Sequence, residues 1–151
     1  MPSTRLPVFT EAGNPGTWQF TDRHASTVRL DGDFLGMGSS HRPYHKHPYP
    51  PYAEKGQHCS TCRWMEQHVF QGLDGRYVVV QRGASIVPGE DEIITFGWAD
   101  SGDAVVAALT SWGDDGKPSF SFVARRALEQ ASSYDDGIHT AYRAATERMG
   151  S

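Results

Sequence analysis

Four of the nine prolines fall between Pro43 and Pro51, interleaved with Tyr44, Tyr49 and Tyr52. Proline fixes φ and lacks an N–H donor, so neither a helix nor a central strand can run through this stretch. What remains is an extended, polyproline-like surface loop. A loop running from His41 to Cys62 is long for a compact domain, and loops of that length usually carry a function or an anchor.

The same loop concentrates the metal-ligating residue types. Five of the seven histidines and both cysteines lie between His41 and His68. Cys59-Ser60-Thr61-Cys62 is a C-x2-C turn, in which both sulfurs can face one ion at about 2.3 Å. Zinc then needs two further ligands, and imidazole suits it. His41 and His45, or His41 and His47, have the H-x3–5-H spacing of zinc sites. His45 and His47 alternate in an extended segment and so face the same way. The preferred order is His47, His45, His41, then His68, then His58, which adjoins Cys59 too closely to share its ion. The histidines precede the cysteines, the reverse of a C2H2 finger, so that fold is not implied.

Other chemistry fits less well. A redox C-x2-C belongs between a strand and a helix of a βαβ unit, whereas a proline-rich loop precedes this one. A catalytic zinc site adds an open position and a general base. Glu66 and Glu54 are the nearest carboxylates, and the H-E-x-x-H and zinc-deaminase patterns are both missing. No phosphate-binding glycine motif occurs, and Gly83-Ala84-Ser85-Ile86-Val87 lacks the second glycine of a nucleophile elbow. The residue pattern therefore favours a structural Cys2His2-type zinc site, in which metal binding supplies folding energy.

Composition limits the partners. There are 14 Lys and Arg against 18 Asp and Glu, a formal net charge of −4, which disfavours a general nucleic-acid binder. Arg42, Lys46, Lys55 and Arg63 do add local positive charge beside Tyr44, Tyr49, Tyr52 and Trp64. Such a mixture suits core cover first, a protein interface second and stacked bases third. No apolar run reaches the roughly 18 residues of a membrane span, and Met1 to Gly13 has no signal-peptide core. A cytoplasmic setting is expected, where paired cysteines more often hold metal than form disulfides.

With 151 residues, a single domain (1–151) is expected. The fold class expected is α+β: short N-terminal strands (1–40), the Cys/His loop (41–62), an antiparallel β-meander (63–98), then helices (100–149). Trp18 and Phe20, and Val28 and Leu30, alternate as half-buried strands do. Asp31-Gly32 reads as a hairpin turn into Phe34, Leu35 and Met37, with Gly36 and Gly38 weakening that arm. Trp64 to Phe70 suits a strand or a helix. Tyr77–Gln81 and Glu92–Trp98 are strands broken by Val87-Pro88-Gly89. Asp100 or Ser101 caps a helix reaching about Trp112, and Gly113-Asp114-Asp115-Gly116 ends it. Ser119 or Ser121 starts a second helix with Val123, Ala127 and Leu128 inward. Ile138, Tyr142, Ala145 and Met149 form a further stripe, set off by a break between Ser132 and Gly137.

Three stretches also carry a resemblance: His58-Cys59-Ser60-Thr61-Cys62-Arg63-Trp64; Val87-Pro88-Gly89-Glu90; and Ser133-Tyr134-Asp135-Asp136-Gly137-Ile138 with Ala141-Tyr142. Over about residues 58–145 they resemble small proteins of actinobacteria and their phages. The resemblance implies a bacterial or phage cytoplasmic origin and brings no activity with it. The expectation is a small soluble zinc-binding protein acting non-enzymatically through a protein partner, for example as a phage or bacterial regulatory or inhibitory factor. Its ligands are Cys59, Cys62 and two of His47, His45 and His41, and its contact residues Tyr44, Tyr49, Tyr52, Trp64 and Arg63. The alternatives are a zinc-dependent hydrolase or nuclease using Glu66 or Glu54, and a nucleic-acid-binding zinc module.

Overall fold

The computed structural model describes residues 6–41, 63–85 and 89–150. A short 3-10 turn (Phe9–Glu11) leads into five antiparallel strands: β1 (Pro15–Thr21), β2 (Thr27–Ser39), β3 (Arg63–Gly72), β4 (Tyr77–Ser85) and β5 (Ile93–Ala99). They pair in sequence order, β1-β2-β3-β4-β5. Helix α1 (Gly102–Ala108), a small hairpin of β6 (Ser111–Trp112) and β7 (Pro118–Ser119), α2 (Phe122–Ser132) and α3 (Asp136–Met149) complete the chain. The class is α+β, with the described helices gathered at the C-terminal end as the residue pattern indicated.

Two cores lie on the two faces of the sheet. Leu35, Val69, Tyr77 and Val79 face the helices, where Val105, Leu109, Ala124, Ala127, Leu128, Ala131, Ile138, Ala141 and Ala145 are buried. The other face carries Trp18, Phe20, Leu30, Phe34, Met37, Phe70, Val78, Val80 and Ile94. The sheet covers this second face by curling. Arg23 N–H, in the β1–β2 turn, donates to the Ile94 carbonyl of β5 at 2.9 Å, which brings the first hairpin to the far edge strand. A register shift between Phe34 and Gly36 supplies the bend, as bulges do.

Several local expectations change. Asp31-Gly32 is not a turn; it lies inside β2, opposite Thr17 and Gly16. Gly32 is required there because a Cβ would collide with the Gln71 carbonyl of β3. The real turn is Asp22–Ser26: the Asp22 carboxylate accepts from His24 and Ser26 N–H, and Ala25 takes a positive φ of 63°. Gly36 and Gly38 do not weaken β2 but let α2 lie directly on it. A Cβ at Gly38 would strike the Val123 carbonyl, and one at Gly36 would sit 2.6 Å from Ala131 N. Trp64 to Phe70 is strand rather than helix.

Helix α1 stops at Ala108, four residues short of the expected Trp112. Leu109 does complete its buried stripe, but Ser111 and Trp112 pair with Ser119 and Pro118 around the predicted Gly-Asp-Asp-Gly turn. Trp112 is 69% exposed, so no core contact holds it in a helix. Ser101, Ser121 and Asp135 cap the three helices, each accepting from a first-turn N–H. Asp135 also accepts from the Tyr77 hydroxyl at 2.8 Å, tying α3 to β4. Burial and this carboxylate push the Tyr77 hydroxyl up to about 12.

Candidate functional site

Of the residues singled out for chemistry, Cys59, Cys62, His45, His47, His58, Glu54, Tyr44, Tyr49 and Tyr52 lie outside the described residues. His41, Arg63, Trp64, Glu66 and His68 lie within them, and the fold brings them to one end of the sheet. Strands β2 and β3 are neighbours, with Ser39 opposite Glu66. Beyond that pair, Ser40 N–H donates to the Met65 carbonyl at 3.0 Å, and Met65 N–H returns a bond to Ser40 Oγ at 2.9 Å. The His41 imidazole then stacks on Trp64, centroids 4.0 Å apart and planes 26° apart. The chain therefore leaves the sheet at His41 and re-enters it at Arg63 side by side, at one shared foot. Cys62 is bonded directly to Arg63.

Below the foot, on the inner face of the curl, the side chains grade from polar to aromatic. Period-2 alternation puts Trp64, Glu66, His68 and Phe70 of β3 on that face. Glu66 faces Arg82 across the β3–β4 ladder, and His68 faces Val80. Glu66 accepts three hydrogen bonds: from Trp64 Nε1 at 2.7 Å, from Arg82 at 2.9 Å, and at 3.1 Å from His68 Nε2 in the tautomer that makes that nitrogen the donor. Arg82 reaches on to Glu92 at 2.6 Å. His68 is fully buried, its ring between Phe34 and Phe70 with centroids 6.2 Å from each.

This network decides what Glu66 can do. Burial pushes its carboxyl up, but the bonds from His68 and Trp64 and the Arg82 charge outweigh burial and hold it at about 2. A carboxylate that acidic is a weak proton acceptor near neutral pH, where general bases work best with values close to the ambient pH. Glu66 is thus built as an anchor, joining Trp64 above it to His68 below. His68 is held through Nε2 by Glu66, which offsets part of the cost of burying its ring, while Nδ1 is buried with no partner among the described residues.

The charged residues near the foot are paired as well. Arg63 makes a forked contact with Glu90, from Nε at 2.9 Å and from its terminal nitrogen at 2.7 Å, and Ser85 Oγ donates to the same carboxylate at 2.6 Å. Glu90 and Glu92 thus supply the partners of two β-strand arginines, Arg63 and Arg82. Asp114-Asp115 lies in the expected turn, and Asp135 caps α3 within the break expected between Ser132 and Gly137. Sequence reasoning missed the Glu66–Arg82–Glu92 chain. Its only linear signal is the alternation of Trp64, Glu66 and His68, and Arg82 is sixteen residues away from Glu66.

Among the described residues, no group of three or more His, Cys, Asp or Glu is placed to hold a metal ion. Of the two described candidate ligands, His68 is fully buried against Glu66, and His41 has its ring face on Trp64 with no described residue hydrogen-bonding its ring nitrogens. Stacking occupies the face of an imidazole and leaves its in-plane nitrogens available to a metal. Also among the described residues, no helix is long and apolar enough to cross a membrane. Compared with protein-family models, curated proteins and solved structures, the chain matches none of them.

Proposed function

We propose that this is a zinc-binding protein that works without catalysing a reaction, through contact with another protein. Its zinc would be held by Cys59, Cys62 and two of His41, His45 and His47. The observation that supports this reading is the shared foot at His41 and Trp64. Loop closure is costly when chain ends must first be brought together, and here the sheet has already joined them. His41 starts the segment and Cys62 ends it, so the outermost candidate ligands attach to adjacent strands. A metal bridging them would continue the ladder where proline forbids hydrogen bonding.

The non-enzymatic part of the reading draws on the roles of Glu66 and His68. Both are committed to a structural network, and Glu66 is too acidic for a general base. A partner contact is favoured by the aromatic and arginine content of the loop. The bacterial or phage origin, the cytoplasmic setting and a regulatory or inhibitory role belong to the same proposal. Elemental analysis of protein purified from zinc-supplemented cells tests it. One zinc per chain, lost in Cys59→Ser/Cys62→Ser, is the expected result. A purified wild-type chain without stoichiometric metal would overturn the zinc assignment.

A further inference from the structure

On the side away from β3, no described strand pairs with the outer half of β2. Strand β1 pairs with β2 only as far as Pro15 opposite Asp33, while β2 continues to Ser39. Chain segments close the next positions: Asn14 accepts from Phe34 N–H, and the Gln130 side chain accepts from Met37 N–H at 3.0 Å. Ser40 N–H turns inward to β3. Antiparallel alternation then turns Ser39 N–H and its carbonyl outward, like Met37, onto the open edge. Ser39 N–H finds no acceptor among the described residues.

This edge forms one wall of a hollow of about 480 Å³, bounded by Phe9, Met37, Ser39, His41, Phe122 and Arg126 among others. That volume lies within the range of ligand pockets. Arg126 sits at its rim with the guanidinium carbon 5.4 Å from the Phe9 ring and 5.6 Å from the Phe122 ring. The guanidinium carbon lies over both rings, which favours the cation there, and its N–H groups can donate to a ligand. Among the described residues, Arg126 has no carboxylate partner and no Asp or Glu lines the hollow.

We infer that this hollow receives the C-terminus of a partner polypeptide, its last residue apolar and its free carboxylate on Arg126. Three features select that occupant over a generic apolar ligand. The outward N–H and C=O of Ser39 offer main-chain pairing to an extended peptide, which is how sheet edges recruit strands. Phe9, Met37 and Phe122 provide an apolar wall for one side chain. A single permanent cation balances a single carboxylate, which the flat guanidinium can grip with two parallel bonds. The inference rests on the proposal that the protein works through a protein contact, and it names the chemistry of the partner.

The test is peptide binding by the full-length chain as purified, with zinc content measured on the same samples. The probes are the acetylated tetrapeptide Thr-Val-Thr-Leu with a free carboxylate, the same peptide as its C-terminal amide, and N-acetyl-leucine. The acid should bind at least about tenfold tighter than the amide, because a charge-assisted bidentate contact is lost in the amide. It should also bind at least about tenfold tighter than N-acetyl-leucine, which cannot pair along the edge. Arg126 is exposed, so Arg126→Gln should fold normally and bind acid and amide alike. Equal binding of acid and amide by the wild type, or a preference for the acid that survives Arg126→Gln, would overturn the inference. N-acetyl-leucine binding as well as the tetrapeptide would overturn the peptide assignment in favour of a small carboxylate. Zinc-loaded protein that binds none of the probes would sink this inference and leave the metal assignment standing.

Discussion

The two faces of the sheet solve burial in different ways. Toward the helices, the interior is aliphatic and small: alanines of α2 and α3 lie over Leu35, Val69 and Val79, and Gly36 and Gly38 bring backbone to backbone. On the inner face of the curl, the interior is aromatic, and it ends in a hydrogen-bonded charge network rather than in solvent. Trp18 lies 5.2 Å from Phe70 and Phe34 lies 5.4 Å from Phe70, while His68 and Glu66 continue the row outward to Trp64. The helix face depends on close approach and tolerates no added volume. The curled face depends on the network around Glu66, although Trp18 Nε1 and His68 Nδ1 are buried there with no hydrogen-bond partner among the described residues. The polar end of the curled face is also the end from which the Cys/His segment departs.

The largest expected effect follows from the second of these dependences. Glu66→Ala removes the acceptor of Trp64, His68 and Arg82 together, leaving His68 buried without its carboxylate. Breaking a buried pair on one side should lower unfolding stability by about 3 kcal/mol, measured by urea titration. A loss below about 1 kcal/mol would show that the network carries no such weight. Its pH dependence has a definite sign. The carboxyl is held at about 2 in the folded chain against 4.5 as its ordinary value. Its contribution is therefore complete above about 4.5 and is lost as pH falls from there towards about 2. Glu66→Gln should flatten the stability profile over that window, and an unchanged profile would contradict the assignment.

The helix face is tested by volume. Gly38→Ala places a methyl against the Val123 carbonyl and should cost about 1–3 kcal/mol. Gly97→Ala in β5 is the control: a Cβ there meets nothing within 4 Å, and the change should stay within about 0.5 kcal/mol. Similar effects at both positions would remove the argument for close approach. A smaller effect is expected where the helix layer is tied to the strands by one hydroxyl. Tyr77→Phe deletes the bond to Asp135 but leaves its helix cap on Ile138 N–H, so thermal unfolding should report a loss of about 1 kcal/mol. No change would mean that this hydroxyl adds nothing to the packing of α3.

Much of this architecture could be read from residue order, and the misreadings share one cause. The meander, the Ser101, Ser121 and Asp135 caps and the Val123–Ala127–Leu128 stripe are all set by neighbours within a turn or two, so periodicity and capping chemistry reveal them. Gly32, Gly36 and Gly38 were misread because a glycine needed for a turn and one needed for close approach look alike in sequence. Only the backbone brought in by folding distinguishes them: the Gln71 carbonyl at Gly32, Ala131 N at Gly36 and the Val123 carbonyl at Gly38. The helix expected to reach about Trp112 stops early because nothing buries that side chain. At the site, the C-x2-C and histidine spacing is visible locally. The convergence of His41 with Trp64, and of Glu66 with Arg82, depends on strand pairing and leaves no local trace.

The central claim is that a metal closes the Cys/His segment onto the foot formed by His41 and Trp64. Zinc content per chain, with unfolding followed before and after chelation, tests it most directly. The account expects one zinc per chain, a marked drop in unfolding temperature on its removal, and neither zinc nor a chelation effect in Cys59→Ser/Cys62→Ser. A wild-type chain that carries no zinc after purification from supplemented cells, and whose unfolding is indifferent to added zinc, would contradict it.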